Sequence, residues 1–393
     1  MFSFSVAKQD KLARVGRIET SHGAIDTPYL VPVATSASVR TLDSFDLKKL
    51  GAQCVLANTY HLFLRPGDTV VKKLGGLHTF MDFQGPIFTD SGGFQTFSLG
   101  LGREHNINKL GFFPEGKRSE QKQKTLARVT DAGVHFQSIY DGSRHLLNPK
   151  SSMRIQRNLG GDIIMAFDEC TSPLSDYDYT KKAMERTHRW ALESLRYHDR
   201  KQALYGIIQG GWWKDLRDAS TKFITDLPFE GIAIGGSLGH SKKDMHAILD
   251  RLVPQLDERP RHLLGIGEID DIFECVARGV DTFDCVMPTR IARRGNLYIH
   301  PESGGRVSNK FRINIKSGKY KDDGKPIDPH CGCPTCRSVS RAYLRHLYSI
   351  NELSYYRLAT LHNLHFMLSL MGQIRESIKS GTFVKLKRKW LKG

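Results

Sequence analysis

The sequence has no run of 18 or more apolar residues, although 39% of its 393 residues are hydrophobic. This absence argues against a membrane-spanning helix, and the opening residues MFSFSVAKQDKLARVGR lack the layout of a secretion signal. We therefore expect a cytoplasmic protein with no membrane partner. A chain of this composition and length is neither disordered nor fibrous, and it can form one large domain or two smaller ones.

Acidic residues are scarce relative to basic ones: 41 Asp and Glu stand against 58 Lys and Arg, which gives a net charge of +17. Such an excess favours a polyanionic partner, with nucleic acid ahead of an anionic membrane surface. The charge is concentrated in residues 301–393, which hold 18 basic and six acidic side chains, and again in residues 103–128. Charge runs are also typical of solvated faces. Whether these segments bind a polyanion or only face solvent therefore depends on where they lie in the fold.

Cysteine is sparse as well, and seven is an odd number, which argues against a complete disulfide framework. Reduced thiols fit the expected cytoplasmic compartment. Four cysteines stand singly in apolar segments, where we expect them to be buried: Cys54, Cys170, Cys275 and Cys285.

The remaining cysteines lie within six residues, Cys331-Gly-Cys333-Pro-Thr-Cys336, at a spacing typical of zinc ligands. The fourth ligand of a tetrahedral site could come from one of four nearby histidines: His330, His346, His362 and His365. We favour His362, because it opens a helix predicted over residues 363–378 and zinc would clip that helix to the cysteine loop. Three sulfurs and one nitrogen leave no open position, so one structural Zn²⁺ per subunit is expected.

Before residue 300 the chain alternates short apolar runs rich in β-branched residues with segments of helical periodicity. The helical segments include residues 150–159, 179–197, 213–225 and 242–252. The strand candidates are residues 29–34, 54–58, 86–89, 162–167, 203–208, 231–234, 262–266 and 282–286. Eight strand–helix units predict the α/β class and a closed (β/α)₈ TIM barrel, and an open doubly wound sheet is the alternative.

Two segments interrupt this repeat. Residues 133–148 alternate apolar and polar side chains around Asp141-Gly142, which predicts a β-hairpin over the barrel mouth. The basic insertion 103–128 before it is expected to form a mobile surface loop. We divide the chain into a catalytic barrel domain over residues 1–300, which includes this insertion, and a basic zinc-binding subdomain over residues 301–393.

Polar side chains stand at the ends of the predicted strands. Asp90, Asp168, Gln209 and Asp284 belong to the third, fourth, fifth and eighth runs, and the strand ends of a barrel meet on one face. Asp90 and Asp284 suit a nucleophile and a general acid/base at a glycosidic carbon. A single strand-end Asp is frequently a helix cap, but three carboxylates with Gln209 favour a catalytic site. A metal-dependent hydrolase is disfavoured, because these ends lack histidines apart from His61.

Seven motifs run in one order over nearly the whole chain: DSGGFQ (90–95), MAFDEC (165–170), GIIQGG (206–211), AIGG (233–236), LLGIGEIDD (263–271), DCVMPTR (284–290) and CxCxxC with His362. In them the chain resembles the tRNA-guanine transglycosylases, or queuine tRNA-ribosyltransferases, in their bacterial-type catalytic subunit. The resemblance implies a zinc-containing TIM-barrel glycosyltransferase of the pentosyltransferase class, active in queuosine biosynthesis. Such an enzyme exchanges guanine at wobble position 34 of GUN-anticodon tRNAs for a 7-deazaguanine base.

By the same resemblance, Asp284 is the nucleophile that forms a covalent intermediate with the ribose of tRNA, and Asp90 is the general acid/base. Asp168, Gln209 and the Gly236 backbone would hydrogen-bond the base. The implied base-binding residues are Ser91, Gly92, Gly93, Phe94, Asp168, Gln209, Gly235, Gly236, Gly239 and Leu264, with Phe94 and Leu264 on the two faces of the ring. The implied RNA contacts are Gly265, Ile266, Gly267, Glu268, Ile269, Asp270, Asp271, Thr289, Arg290, Ile291, Ala292 and Arg293. The implied zinc ligands are Cys331, Cys333, Cys336 and His362.

The chain departs from the family pattern in two places. The insertion 103–128 is longer than the usual connection, and its basic character is compatible with a tRNA contact. After Gly235-Gly236 the common bacterial pattern is Leu-Ala-Val-Gly-Glu, whereas this chain has Gly239 in place of Val and Ser241 in place of Glu. Loss of the Val side chain opens volume beside the 7-substituent, so we predict that the enzyme accepts queuine, with 7-aminomethyl-7-deazaguanine as the alternative.

Other functions explain parts of the sequence. A non-catalytic tRNA-binding subunit of such an enzyme is the main alternative, and the intact set of polar strand ends argues against it. An archaeal relative that modifies another tRNA position is a less favoured alternative, because we would expect it to carry a further RNA-binding domain after residue 393. A zinc-ribbon DNA-binding protein would explain the charge and the cysteines but not the strand ends. Members of the family commonly dimerise, so we expect a homodimer.

Overall fold

The fold is that of a computed structural model, which describes residues 2–94, 127–236 and 238–392. Residues 103–126 of the basic insertion lie outside these ranges, as do Gln95 and Ser237. The strands are β1 Ser3–Asp10, β2 Ala13–Thr20, β3 Gly23–Thr27, β4 Tyr29–Ala34, β5 Val55–Ala57, β6 Ile87–Thr89, β7 Ala127–Thr130, β8 Gly133–Gln137, β9 Arg144–Leu147, β10 Ile163–Met165, β11 Ala203–Ile208, β12 Gly231–Ile234, β13 Arg261–Leu263, β14 Thr282–Cys285, β15 Asn296–Tyr298 and β16 Arg312–Asn314.

The helices surround the strands and continue past them to the end of the chain. The α-helices are α1 Ser44–Lys49, α2 Thr59–Leu64, α3 Asp68–Lys73, α4 Gly76–Phe80, α5 Pro149–Leu159, α6 Tyr177–Tyr197, α7 Lys214–Thr225, α8 Lys242–Leu252, α9 Ile269–Ala277, α10 Met287–Ala292, α11 Pro334–Ser338, α12 Arg341–Ser349, α13 Leu353–Lys379 and α14 Phe383–Leu391. Short 3₁₀ helices cover Val253–Gln255, Pro301–Ser303, Val307–Asn309 and Gly318–Tyr320.

The central element is a closed barrel of eight parallel strands. Their order is β4-β5-β6-β10-β11-β12-β13-β14, and β14 closes the barrel by pairing with β4. Each predicted run overlaps one of these strands, so the TIM-barrel prediction is confirmed. The doubly wound sheet is wrong, because the first and last strands pair with each other. Strands β4 and β11 are buried at every position, since helices cover one side and the filled barrel interior covers the other.

The predicted helical segments form α5, α6, α7 and α8, with bounds close to those expected. Helix α5 shows the local sequence signals from which helix bounds can be predicted. Asn148 caps its first turn, accepting a hydrogen bond from Ser151 N at 2.9 Å. Gly160 ends the helix in the left-handed region at φ +74°, which glycine adopts without steric cost. These two residues therefore set the helix bounds locally.

A three-stranded antiparallel sheet, β1-β2-β3, precedes the barrel, and none of its strands is among the predicted ones. Contacts tie it to the end of the barrel opposite the predicted site. Nδ1 of His22, in the turn before β3, lies 2.6 Å from Asp162 Oδ1, and Nε2 of His78 lies 3.1 Å from Asp162 Oδ2. Asp162 stands directly before β10, so these contacts mark the amino end of that strand. The alternation of polar and apolar residues in Ser3-Phe4-Ser5-Val6 is the sequence signal that could have indicated β1.

The hairpin prediction is confirmed: β8 and β9 pair antiparallel across a turn that contains Gly142 at φ +74°. The hairpin packs beside the segment after β6. This proximity is shown at Gly92, where an added Cβ atom would lie 3.0 Å from Leu147 Cδ2 of β9. A third strand, β7, pairs with β8. Ala127 and Arg128 therefore belong to a sheet and not to the expected loop, since the edge of β8 supplies hydrogen-bond partners for their backbone.

Helix α13 begins at Leu353, ten residues before the predicted start, so His362 lies inside this helix and does not open it. The extension forms because Tyr355 and Ala359 are buried in the C-terminal core. Near its other end, Arg375 Nη1 donates to the carbonyl of Pro28 beside the barrel at 2.9 Å. The proposed domain boundary at residue 300 stays a prediction. No helix in the described part of the chain, α13 included, is long and apolar enough to cross a membrane.

The four single cysteines are buried, as predicted. Burial raises the pKa of the Cys285 thiol to about 12, and it raises the pKa of Cys54 and Cys275 well above the ordinary range. These thiols stay protonated and pack as small apolar groups.

Candidate active site

Six neighbouring barrel strands bring the predicted base and ribose contacts to one end of the barrel. In order around the barrel they are β6, β10, β11, β12, β13 and β14. Their polar or pocket residues are, in the same order, Asp90, Asp168, Gln209, Gly235 with Gly236, Leu264, and Asp284. Because the carboxyl ends of parallel strands share one face, the structure brings these residues together at the barrel mouth.

Asp90 is held by three donors from the ends of β5 and β6. Thr59 N donates to Asp90 Oδ1 at 2.9 Å, Gly92 N donates to the same oxygen at 3.2 Å, and Asn58 Nδ2 donates to Oδ2. Asn58 also caps helix α2, because its Oδ1 accepts from His61 N at 3.0 Å. One residue at a strand end therefore starts a helix and orients the half-buried Asp90 carboxylate.

Asp168 and Gln209 form a buried pair on adjacent strands. Gln209 Nε2 donates to Asp168 Oδ2 at 2.7 Å, and Ser91 Oγ donates to Asp168 Oδ1 at 2.9 Å. Burial raises the pKa of Asp168 to about 6, against the lowering effect of these two hydrogen bonds. Within the described residues, Gln209 Oε1 is buried and accepts no hydrogen bond. An unpaired buried acceptor costs stability, so its retention points to a ligand donor.

The glycines after β12 allow a tight backbone course beside this pair. Gly236 has φ +78°, and a Cβ atom there would lie 2.1 Å from Gln209 Oε1. Gly239 has φ +99°, and a Cβ atom there would lie 2.3 Å from the Cβ of Asp244. Ser241 caps helix α8 by accepting from Asp244 N at 3.3 Å. Gly239 and Ser241, which depart from the bacterial pattern, thus each have a local reason. A Val at position 239 could not adopt this backbone conformation, and Ser241 serves as the helix cap.

Asp284 lies in β14, and its side chain is 18% exposed. Its Oδ1 accepts from Gly265 N at 2.9 Å and lies 3.2 Å from Nε2 of His262. His262, in β13, is fully buried. The nucleophile expected from the resemblance is therefore oriented by the strand next to its own.

The predicted contacts with the two faces of the base differ in exposure. The Phe94 side chain is 47% exposed, whereas Leu264 is half-buried, and Leu264 N donates to the Ile234 carbonyl at 3.1 Å. In the stretch 265–271, which is predicted to contact RNA, Ile266 and Ile269 bury their side chains in the core. An RNA contact at those two residues would therefore involve the backbone.

The other predicted RNA segment, residues 289–293, forms most of α10. Its buried members are Thr289, Ile291 and Ala292, and the two arginines are half-buried. Burial lowers the pKa of Arg293 to about 10, and the positive charges of Arg40, Arg290 and Arg294 lower it further. Four guanidinium groups that repel one another at a barrel mouth are typical of a phosphate-binding surface.

The four predicted zinc ligands lie together, with their donor atoms all within 4.8 Å of one another. His362 Nδ1 is 3.7, 3.5 and 3.4 Å from the Sγ atoms of Cys331, Cys333 and Cys336. A tetrahedral site with ordinary Zn–S and Zn–N bonds has S···N edges of about 3.6 Å. His362 Nε2 donates to the Tyr298 carbonyl at 2.7 Å, which leaves Nδ1 as the atom that can bind a metal.

The other histidines near the cysteines do not join this group. His365 comes nearest, with its Nδ1 3.6 Å from Cys331 Sγ, but its donor atom does not lie within reach of all the others. Neither His330 nor His346 belongs to a possible metal group among the residues that the structure describes. The choice of His362 therefore agrees with the geometry.

Three residues at the barrel mouth are not among the site residues predicted from the sequence: Arg40, Asn58 and His262. Asn58 directly follows an apolar run, like the predicted carboxylates, so its position in sequence could have indicated it. His262 begins a predicted run, and its link to Asp284 depends on the pairing of β13 with β14. Arg40 lies in the loop after β4 and has no motif around it.

Comparisons with known proteins agree with this site. The family model described as queuine tRNA-ribosyltransferase matches residues 9–393. A "Putative queuine tRNA-ribosyltransferase" of Archaeoglobus fulgidus is 57% identical over 387 residues, which cover 96% of each chain. Queuine tRNA-ribosyltransferases of Roseiflexus sp. and Staphylococcus aureus are 44% and 43% identical, over 96% of this chain and 96% and 92% of their own. The chain therefore belongs to the queuine tRNA-ribosyltransferase family, that of the tRNA-guanine transglycosylases.

Proposed function

We propose that this protein is a tRNA-guanine transglycosylase, which replaces guanine at the wobble position of GUN-anticodon tRNAs with a 7-deazaguanine base. One observation carries the proposal: Asp90 and Asp284 stand at the same barrel mouth, and the Asp168–Gln209 pair lies on the strands between them. Two carboxylates supply a nucleophile and a general acid/base, and the buried pair supplies acceptors for a purine edge.

The reaction proceeds in two displacements at C1′ of the ribose. Asp284 forms a bond to C1′ while the C1′–N9 bond breaks, and Asp90, which is protonated at the start of this step, gives its proton to the leaving guanine. The incoming base then gives its N9 proton to Asp90 and attacks C1′, and the ester electron pair returns to Asp284. Each group ends in its starting state, so the exchange needs no other reactant.

The buried pair accounts for selection of guanine-like bases. Guanine presents N1–H and an amino group on one edge, and both are donors. The Asp168 carboxylate and Gln209 Oε1 are acceptors, and Phe94 and Leu264 cover the faces of the ring. Adenine places an acceptor at N1, opposite a carboxylate, so it is rejected.

We propose that the incoming base is queuine, with 7-aminomethyl-7-deazaguanine as the alternative. The support is the loop before α8, where Ser241 stands in place of a carboxylate that could pair with an aminomethyl cation. Purified enzyme is offered each base together with a tRNA that carries guanine at the wobble position. Incorporation of the aminomethyl base alone would contradict the queuine proposal.

The cluster of Cys331, Cys333, Cys336 and His362 fits Zn²⁺, because its donor set and its S···N distances match a tetrahedral S₃N site. Bound zinc supplies a structural cross-link between the cysteine loop and α13, with no open position for catalysis. The carbonyl of Tyr298 orients His362 for this role.

We further propose a homodimer in the cytoplasm. The support is a set of strongly exposed apolar side chains, Phe45 on α1 together with Ile350 and Leu353 around the start of α13. An ion pair between Asp46 and Arg357, with Nε 2.9 Å from Oδ2, joins the two helices that carry this surface. Light scattering of the purified protein measures the mass directly.

The nucleophile is tested by Asp284→Asn. An amide cannot form the ester, so the variant loses the denaturation-resistant adduct with tRNA and base exchange falls by at least about a thousandfold. Wild-type enzyme, incubated with tRNA without incoming base, is the positive control on a denaturing gel. An adduct with the variant would show that another residue attacks the ribose.

The alternative, a non-catalytic tRNA-binding subunit, makes a different prediction. Such a protein would bind tRNA yet release no guanine under any condition. A tRNA-dependent guanine-release assay with the purified chain separates the two functions.

A further inference from the structure

We propose that His262 is a positioning residue for the reaction, because it holds Asp284 through one carboxylate oxygen and leaves the other oxygen to attack the ribose. This inference rests on the proposed function, in which Asp284 is the nucleophile. The His262 side chain has no exposed surface, so it acts through Asp284 and not by contact with the base or the ribose.

The strand pairing sets the contact. His262 in β13 is the register partner of Thr282 in β14. Residues two apart in a strand point to the same face, so Thr282 and Asp284 both reach the imidazole of His262. Its Nδ1 lies 2.9 Å from Thr282 Oγ1, and its Nε2 lies 3.2 Å from Asp284 Oδ1.

The His262 ring is fixed from a third side. It is fully buried and stacks on Phe88 of β6, with ring centroids 5.4 Å apart and planes inclined by 27°. A buried ring with a partner at each nitrogen and an aromatic on its face has little freedom to turn. The direction of its Nε2–H bond is therefore determined before substrate binds, which is the requirement for orienting a nucleophile.

The chemistry of the two partners sets the direction of the hydrogen bond. A carboxylate accepts and does not donate, so Nε2 carries the proton and donates to Asp284 Oδ1. In the neutral ring the Thr282 hydroxyl donates to Nδ1, which fixes that tautomer. Thr282 thus supports His262 as His262 supports Asp284.

The two oxygens of Asp284 are consequently unequal. Oδ1 accepts from both Gly265 N and His262 Nε2, whereas no hydrogen bond to Oδ2 occurs within the described residues. Oδ2 is the less stabilised oxygen and attacks C1′, while Oδ1 becomes the carbonyl oxygen of the ester. When the incoming base displaces the ester, negative charge returns to Asp284 and the same two donors stabilise it.

The test replaces the donor while the shape is kept. His262→Phe fills the site but has no donor, and we expect kcat and the rate of adduct formation to fall at least about tenfold. The KM for tRNA stays within about twofold, because His262 does not touch RNA. His262→Gln, whose amide can donate, is expected to recover part of the lost rate.

The matched control is His188→Phe. His188 on α6 also stacks on an aromatic ring, that of Phe223, and its Nε2 lies 3.1 Å from Ser220 Oγ, but it lies outside the barrel mouth. We expect this variant to exchange bases at the wild-type rate. Thermal unfolding and zinc content of each variant show whether the fold is retained.

The outcomes separate the inference from the proposed function. An adduct with Asp284→Asn would overturn both. If Asp284→Asn loses the adduct but His262→Phe keeps the wild-type kcat, the inference alone is overturned. The inference is also overturned if His262→Phe and His262→Gln lower kcat equally. If His262→Phe does not fold, Thr282→Val tests the inference instead. This substitution keeps the His262 ring and removes the Thr282 hydroxyl, which fixes the tautomer of that ring. An unchanged kcat in Thr282→Val then overturns the inference.

Discussion

A single residue, Asp168, shows how burial prepares the site for a base. In water its carboxyl would be ionised well below neutral pH, but burial between barrel strands raises its pKa to about 6. Two donors, Ser91 and Gln209, keep the ionised form accessible. The carboxylate is therefore costly to hold without a ligand, and in the proposed complex the donor edge of guanine would relieve that cost.

This raised pKa predicts a pH dependence of base binding. Above about pH 6 Asp168 is ionised and accepts from the base; as the pH falls through that value the carboxyl becomes protonated and loses an acceptor site. We expect the inhibition constant of free guanine to rise roughly tenfold per pH unit below about pH 6. Competition assays over the range from about pH 5 to about pH 8 measure it. In Asp168→Asn binding is weaker and nearly flat with pH; a flat wild-type profile would contradict the assignment.

At the scale of elements, helix α13 links the zinc group to the barrel. His362 stands inside the helix, so its backbone is fixed by helical hydrogen bonds before the metal binds. The following residue, Asn363, donates through Nδ2 to the Pro288 carbonyl at 3.0 Å and accepts from Tyr298 N. The Cys331–Cys333–Cys336–His362 cluster, α13 and the segment that carries the arginines of α10 therefore form one connected unit.

Zinc removal is expected to loosen this unit. His362→Ala should lose the metal and destabilise the protein by about 4 kcal/mol or more, because a structural site loses a ligand in the core. His365→Ala is the matched control, since His365 is on the same helix and also lies near Cys331. Metal content by mass spectrometry and thermal unfolding distinguish the two. Zinc loss in the His365 variant, but not in the His362 variant, would reverse the ligand assignment.

At the scale of the whole molecule, the net charge of +17 gives the enzyme a field that attracts tRNA. The four-arginine group, Arg40, Arg290, Arg293 and Arg294, places part of that charge at the barrel mouth, where the proposed function requires the anticodon loop. The role of the insertion 103–128 stays a prediction.

The arginine group predicts a salt effect. Arg293→Ala should raise the KM for tRNA by several-fold and reduce the slope of log affinity against log salt by about 1, because one phosphate contact is lost. Arg251→Ala is the control, since Arg251 is paired with Asp218 on the outer helices. An equal effect of both substitutions would show that the charge acts only through the overall field.

Local patterns in the sequence determined much of this protein. The eight strands, the main helices, the hairpin and the cysteine spacing each depend on residues close together in the chain, so periodicity, caps and ligand spacing revealed them. The strand-end carboxylates followed, because parallel strands in a barrel share one polarity. The family motifs then implied roles that no single pattern could show.

Only the tertiary structure decided which side chains of neighbouring barrel strands meet. Asn58 reaches Asp90 and His262 reaches Asp284 because neighbouring strands bring together residues that are 32 and 22 positions apart. The extra turns of α13 formed because packing buried Tyr355 and Ala359. The sequence by itself thus determined the elements and the chemistry at their ends. The pairing of neighbouring strands decided how the oxygens of Asp90 and Asp284 are held, since that depends on register and on contact between segments that are distant in sequence.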